Sequence, residues 1–198
     1  MIRRVYFMLF KPGWEWAEIK EESPLNPRHF FSYALVFATV SPVIRFLAGF
    51  LYGHYKKPFV GWSWAVVRRE LLFCVALYFF SLAVVMLWRR IISLLAPVFS
   101  SQQKAAESLV LAVFSMLPYW LGGVFYLIPQ AGWIIKIVVG FYGVYILYRG
   151  LSADLMETPR KKVFGYLVLS GVLGLGLVVL AEVSLRFLFT VGGVIKLG

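Results

Sequence analysis

The run "LLFCVALYFFSLAVVMLW", residues 71–88, holds no charged residue and is bracketed by Arg68, Arg69 and Glu70 before it and by Arg89 and Arg90 after it. As a helix rising about 1.5 Å per residue it is roughly 27 Å long, close to the ~30 Å hydrocarbon core of a bilayer. It reads as a membrane span, and the remaining sequence has the same character. Hydrophobic residues make up 61% of the 198-residue chain and charged residues 15%, whereas a soluble domain carries about a quarter charged residues.

Four further stretches reach a similar length, which predicts an all-α polytopic membrane protein with five transmembrane helices at about 30–52, 71–88, 109–127, 133–148 and 163–189. Residues 28–198 then form the transmembrane domain, and 1–27 a cytoplasmic, interfacial amphipathic segment. In that segment, "KPGWEWAEIKEESPLNPRHF" offers Pro12 as a helix start, with Glu15 and Glu18 suited to the first turns. Trp14 and Trp16 are expected at the headgroup level, as are Trp62 and Trp64 in "PFVGWSWAVV". That loop reads as lying flat on the opposite surface, with a re-entrant hairpin as the alternative. "IPQAG" is short and uncharged, which predicts an antiparallel hairpin of the third and fourth spans.

Arg3 and Arg4 precede only "VYFMLF" before Lys11, too short an apolar region for a signal peptide, so this end is expected to remain in the mature chain. The single cysteine, Cys74, lies in an apolar run and reads as a buried thiol. The net charge of +11 comes from residues at the ends of apolar segments, which points to topology and away from nucleic acid. Lys and Arg are twice as frequent on the side of the N-terminus and the loops near 89–104 and 149–162 as on the other. The positive-inside rule therefore places the N-terminus in the cytoplasm and the C-terminus outside. On that inner side Arg149, Arg160, Lys161 and Lys162 are candidate contacts for lipid headgroups, with anionic lipids the expected partners.

Charges inside the spans are the sequence's main departure from a plain bundle. Arg45, Lys136 and Glu182 fall in three different spans at similar depths, with Arg186 one turn beyond Glu182. An unpaired charge deep in lipid costs at least a few kcal/mol, so Glu182 is expected to pair with Arg45, Lys136 or Arg186. Two readings stay open: Arg45 and Lys136 snorkel to headgroups while Glu182 closes a local pair, or all of them line a polar cavity.

Pro42 and Pro118 are candidate kinks, with the hydroxyls of Thr39, Ser41 and Ser115 placed to serve carbonyls that a proline leaves without a donor. Gly140, Gly143, Ser170, Gly171, Gly174 and Gly176 allow close helix approach. Tyr142, Tyr145 and Tyr148 form a stripe that reads as packing and interface anchoring. No zinc-protease, phosphate-loop, nucleophile-elbow or dinucleotide signature occurs, so no catalytic residue, metal or cofactor is expected.

"LFKPGWEWAEIKEE", "SMLPYWLGG" and "YGVYILYRGLSADLMETPRKKVFGY" together resemble the Yip family of Ypt/Rab-interacting membrane proteins, in particular its short prokaryotic-type members. The resemblance implies a five-helix integral membrane protein with a cytosolic N-terminus. Eukaryotic members are associated with Rab-type GTPases and vesicle traffic; the Asp-Leu-Tyr-Gly-Pro motif of that branch does not occur in this sequence. The expected function is membrane organisation in a bacterial or archaeal inner membrane through lipid or protein partners, with a homo-oligomer allowed and the protein partner unassigned. The competing expectation is a small-solute or ion transporter built on Arg45, Lys136 and Glu182.

Overall fold

A computed structural model describes residues 1–22, 24–56, 64–128, 131–153 and 155–190. The described secondary structure is entirely helical: α1 (Ile2–Phe10), α2 (Pro12–Glu21), α3 (Pro27–Phe37), α4 (Val40–Lys56), α5 (Trp64–Leu95), α6 (Ala105–Leu121), α7 (Gly132–Gly140), α8 (Tyr142–Ser152) and α9 (Arg160–Thr190), with 3-10 segments at Pro97–Phe99 and Gly122–Leu127. Five stretches among the described residues are long and apolar enough to cross a membrane: Pro27–Gly49, Val67–Phe99, Ala105–Leu127, Gly132–Ser152 and Arg160–Phe189. The five-span expectation therefore holds, with the helices generally longer than the apolar runs. Arg89 and Arg90, expected in a loop, lie within α5, because its 32 residues extend about 48 Å and project beyond the hydrocarbon.

Helix α6 forms the axis. Every residue from Ser108 to Trp120 is buried, and the helix packs on α3, α5, α7 and α8. A helix apolar on all sides is stable only when other helices enclose it. Trp120 donates from its indole N–H to Ser81 of α5. Trp88 of α5 lies against Gly174 of α9, where a Cβ would collide with the indole, and donates to the Ser170 carbonyl at 3.0 Å.

Three of the five spans are broken. Asn26 caps α3 by accepting from the Arg28 N–H at 3.0 Å, with Pro27 in the first turn. The helix then stops at Phe37 and restarts at Val40. Pro42 has no N–H to give the Ala38 carbonyl, so the break falls four residues upstream of the proline. Pro118 likewise withholds a donor from Phe114, and beyond it α6 tightens into the 3-10 turn Gly122–Leu127. Between α7 and α8 the break is at Phe141. The hydroxyls divide: Thr39 donates to the Val36 carbonyl at 2.6 Å and Ser41 to the Trp120 carbonyl at 2.9 Å. Ser115, expected to serve the break at Pro118, has a buried hydroxyl without a hydrogen-bond partner among the described residues.

The N-terminal helices dock on the bundle. Trp16, expected at the headgroup level, is completely buried within the protein. Its indole donates to the Ile146 carbonyl at 3.0 Å and meets Phe114 edge-on at 5.7 Å. Gly150 leaves room for that ring, since a Cβ there would crowd it. Helix α2 is therefore seated on α8, while Trp14 stays half exposed against Phe7. Trp64 is exposed; Trp62 and the centre of its loop lie outside the described residues, as do Pro129 and Gln130 of "IPQAG".

Candidate functional site

Beyond the helix breaks, α4 and α7 each pack against the 3-10 turn Gly122–Leu127. This arrangement brings Lys136 of α7 to Glu182 of α9, with Nζ 3.3 Å from Oε2 and both side chains wholly buried. Tyr119 donates to Oε2 at 2.9 Å, Tyr126 donates to Oε1 at 2.6 Å, and Arg186 donates to Oε1 at 3.1 Å. Lys136 also donates to the Tyr126 hydroxyl at 3.1 Å. Each carboxylate oxygen thus accepts two hydrogen bonds, which fills its lone-pair capacity. The ammonium sits 3.9 Å from the Tyr119 ring centroid, and the Arg186 guanidinium lies 4.5 Å from that of Trp133.

Glycines around the cluster differ in what a side chain would meet. A Cβ at Gly122 would lie 3.4 Å from the Lys136 backbone, and one at Gly140 3.4 Å from the Tyr119 side chain, both ordinary contact distances. At Gly143 a Cβ would collide with the Ser115 carbonyl, and at Gly123 with Ser41.

Of the charges singled out in the sequence, Lys136, Glu182 and Arg186 converge, whereas Arg45 pairs with Glu70 at 3.4 Å. Its guanidinium lies 5.0 Å from the Phe73 ring and 5.7 Å from that of Tyr126, on the flank of the cluster. Glu70 does not stand out in the sequence because it lies just before the uncharged run, outside the span predicted at 71–88; α5 in fact begins at Trp64. Tyr119 and Tyr126 escaped because a tyrosine in an apolar span has no pattern that separates a packed ring from a hydrogen-bonded hydroxyl.

At the opposite end of the bundle, two open clefts flank the last turns of α8. One, of about 830 Å³, is lined by residues that include Gly13, Lys20, Glu21, Tyr148 and Arg149. The other, of about 800 Å³, includes Tyr148, Ser152, Glu157, Arg160 and Phe164. Arg149 and Arg160 thus enter clefts, Lys161 is exposed, and Lys162 donates to Ser100 at 2.7 Å. Tyr142 of the tyrosine stripe donates to the Leu9 carbonyl at 2.6 Å, joining α8 to α1.

Among the described residues no group of three or more His, Cys, Asp or Glu is placed to hold a metal. The family model for the Yip1 domain matches residues 6–181, nearly the whole chain. No curated protein and no solved structure matches it.

Proposed function

Because the chain belongs to the Yip1 domain family, whose members are generally non-enzymatic multi-pass membrane proteins, we propose that it is itself non-enzymatic and organises the membrane through contacts with lipid and partner proteins at its basic end. The observation that carries this reading is the closure of the intramembrane cluster. With Lys136 and Glu182 wholly buried and both carboxylate oxygens saturated, the charges hold α7 to α9 and leave no acceptor for a passing ligand. Contact with other molecules then falls to the clefts around Arg149 and Arg160, at the ends of two candidate spans. The distribution of Lys and Arg supports an inner-membrane protein with this end and the N-terminus in the cytoplasm, and the C-terminus outside.

A second reading, transport of an ion or small solute, has one observation in its favour: three of the candidate spans are broken, as discontinuous helices are at many transporter sites. Sealed proteoliposomes decide between the two. Enrichment of anionic lipid around the protein without release of entrapped ions or solutes supports membrane organisation. Solute release that grows in Glu182→Gln replaces it with transport.

A further inference from the structure

We infer that the two clefts beside α8 form one site for the phosphodiester headgroup of an anionic membrane lipid. The inference rests on the lipid-contact reading above and gives it a location and a chemistry. The clefts share Tyr148 and Ser152, so a single ligand can span both.

Among the described lining residues, Arg149 and Arg160 are accompanied by Glu21 and Glu157, and Glu157 is already engaged by Lys104, at 2.7 Å, and by Gln102. Arg149 makes no ion pair among the described residues. Its guanidinium rests against Gly13, in space that a Cβ would take. The hydroxyls of Tyr148 and Ser152 make no hydrogen bond among the described residues, which leaves two donors between the two guanidiniums. A phosphodiester offers the acceptors this set lacks, and guanidinium groups bind phosphate oxygens through paired, charge-assisted hydrogen bonds.

The position makes the ligand a lipid. One candidate span ends at Ser152 and another begins at Arg160, which puts the clefts at headgroup depth. Phe164, one turn into α9, lines the second cleft and is 71% exposed. An aromatic face directly below a cationic rim suits a molecule with phosphate above and hydrocarbon beneath.

The test uses the full chain in nanodiscs of phosphatidylcholine containing a minor fraction of phosphatidylglycerol, with native mass spectrometry counting the phosphatidylglycerol retained. Arg149→Gln with Arg160→Gln should weaken retention by about tenfold per guanidinium removed. Arg28→Gln with Arg90→Gln removes the same charge from the same end, away from the clefts, and should retain lipid as the wild type does. Gly13→Ala keeps every charge but displaces Arg149, should also weaken retention, and carries the test if the double variant fails to fold. Equal losses in the two double variants, or wild-type retention in Gly13→Ala, overturn the site while leaving a general lipid contact intact. No anionic lipid on the wild type overturns the lipid reading itself. Displacement of the lipid by soluble glycerol phosphate at comparable concentration overturns the assignment to a lipid in favour of a free phosphate ligand.

Discussion

At Glu182 a single carboxylate is held by Lys136, Arg186, Tyr119 and Tyr126, and the energetic weight of that arrangement lies in what removal leaves behind. A buried ion pair often adds little over well-packed apolar residues, but breaking one strands a charge at a cost of about 3–5 kcal/mol. Glu182→Gln should therefore lower the thermal midpoint in detergent sharply. Glu182→Gln combined with Lys136→Met should recover most of the loss, since no stranded ammonium remains; if the double variant is as unstable as the single one, the pair is not the source of the effect. Lys136, Glu182 and Arg186 were legible in the sequence because ionisable residues stand out in apolar spans. The choice among partners for Glu182 was not, because it depends on helix rotation and on breaks that bring α7 up to α9.

Among the elements, the docked α1–α2 pair carries its own pH response. Arg4 lies 3.0 Å from the buried Glu15 without forming a hydrogen bond to it, and pairs with Glu22. Burial raises the Glu15 carboxyl to about 7, against an opposing pull from Arg4, while the hydrogen bond from Arg4 holds Glu22 below its usual range. The Glu15 contribution to docking is therefore full below its undocked value of about 4.5 and is lost as pH rises through about 7. The Glu22 contribution is present above about 4.5 and is lost as pH falls through its lowered value. Docking should be tightest near pH 5 and weaken toward pH 8, seen as falling amide-exchange protection in α1 and α2 after correction for intrinsic rates. Glu15→Gln should flatten that dependence above pH 5; an unchanged slope would place the titration elsewhere. A different limit applies where α8 approaches α6. Gly143→Ala should destabilise the bundle because its methyl meets the Ser115 backbone carbonyl, whereas Gly176→Ala, with nothing within 4 Å, should leave the thermal midpoint nearly unchanged. Both glycines belong to the same small-residue pattern in the sequence, and only the structure separates a close approach from a lipid-facing position.

Across the whole molecule, five spans could be read from apolar length, whereas the breaks within them could be read only in part. Pro42 and Pro118 announce trouble, but α3 ends upstream of the first and the 3-10 turn begins downstream of the second. The break at Phe141 has no proline at all. The result is a half-bundle of short segments, α4, Gly122–Leu127 and α7, beside the unbroken helices α5 and α9. Each of two ion pairs joins one partner from either group: Arg45 of α4 to Glu70 of α5, and Lys136 of α7 to Glu182 of α9. The short segments are connected to the rest of the bundle through the breaks, so removing both carboxylates should loosen them together while the region around α6 and α8 keeps its packing. In a Cys74→Ala background, spin labels at the exposed Leu47 of α4 and Val183 of α9 should give a broader distance distribution in Glu70→Gln/Glu182→Gln than in the parent. Labels at the exposed Leu94 of α5 and Phe164 of α9 should give the same distribution in both. Broadening at both pairs would mean the ion pairs hold the entire bundle, and broadening at neither would mean that packing around the glycines alone fixes the short segments.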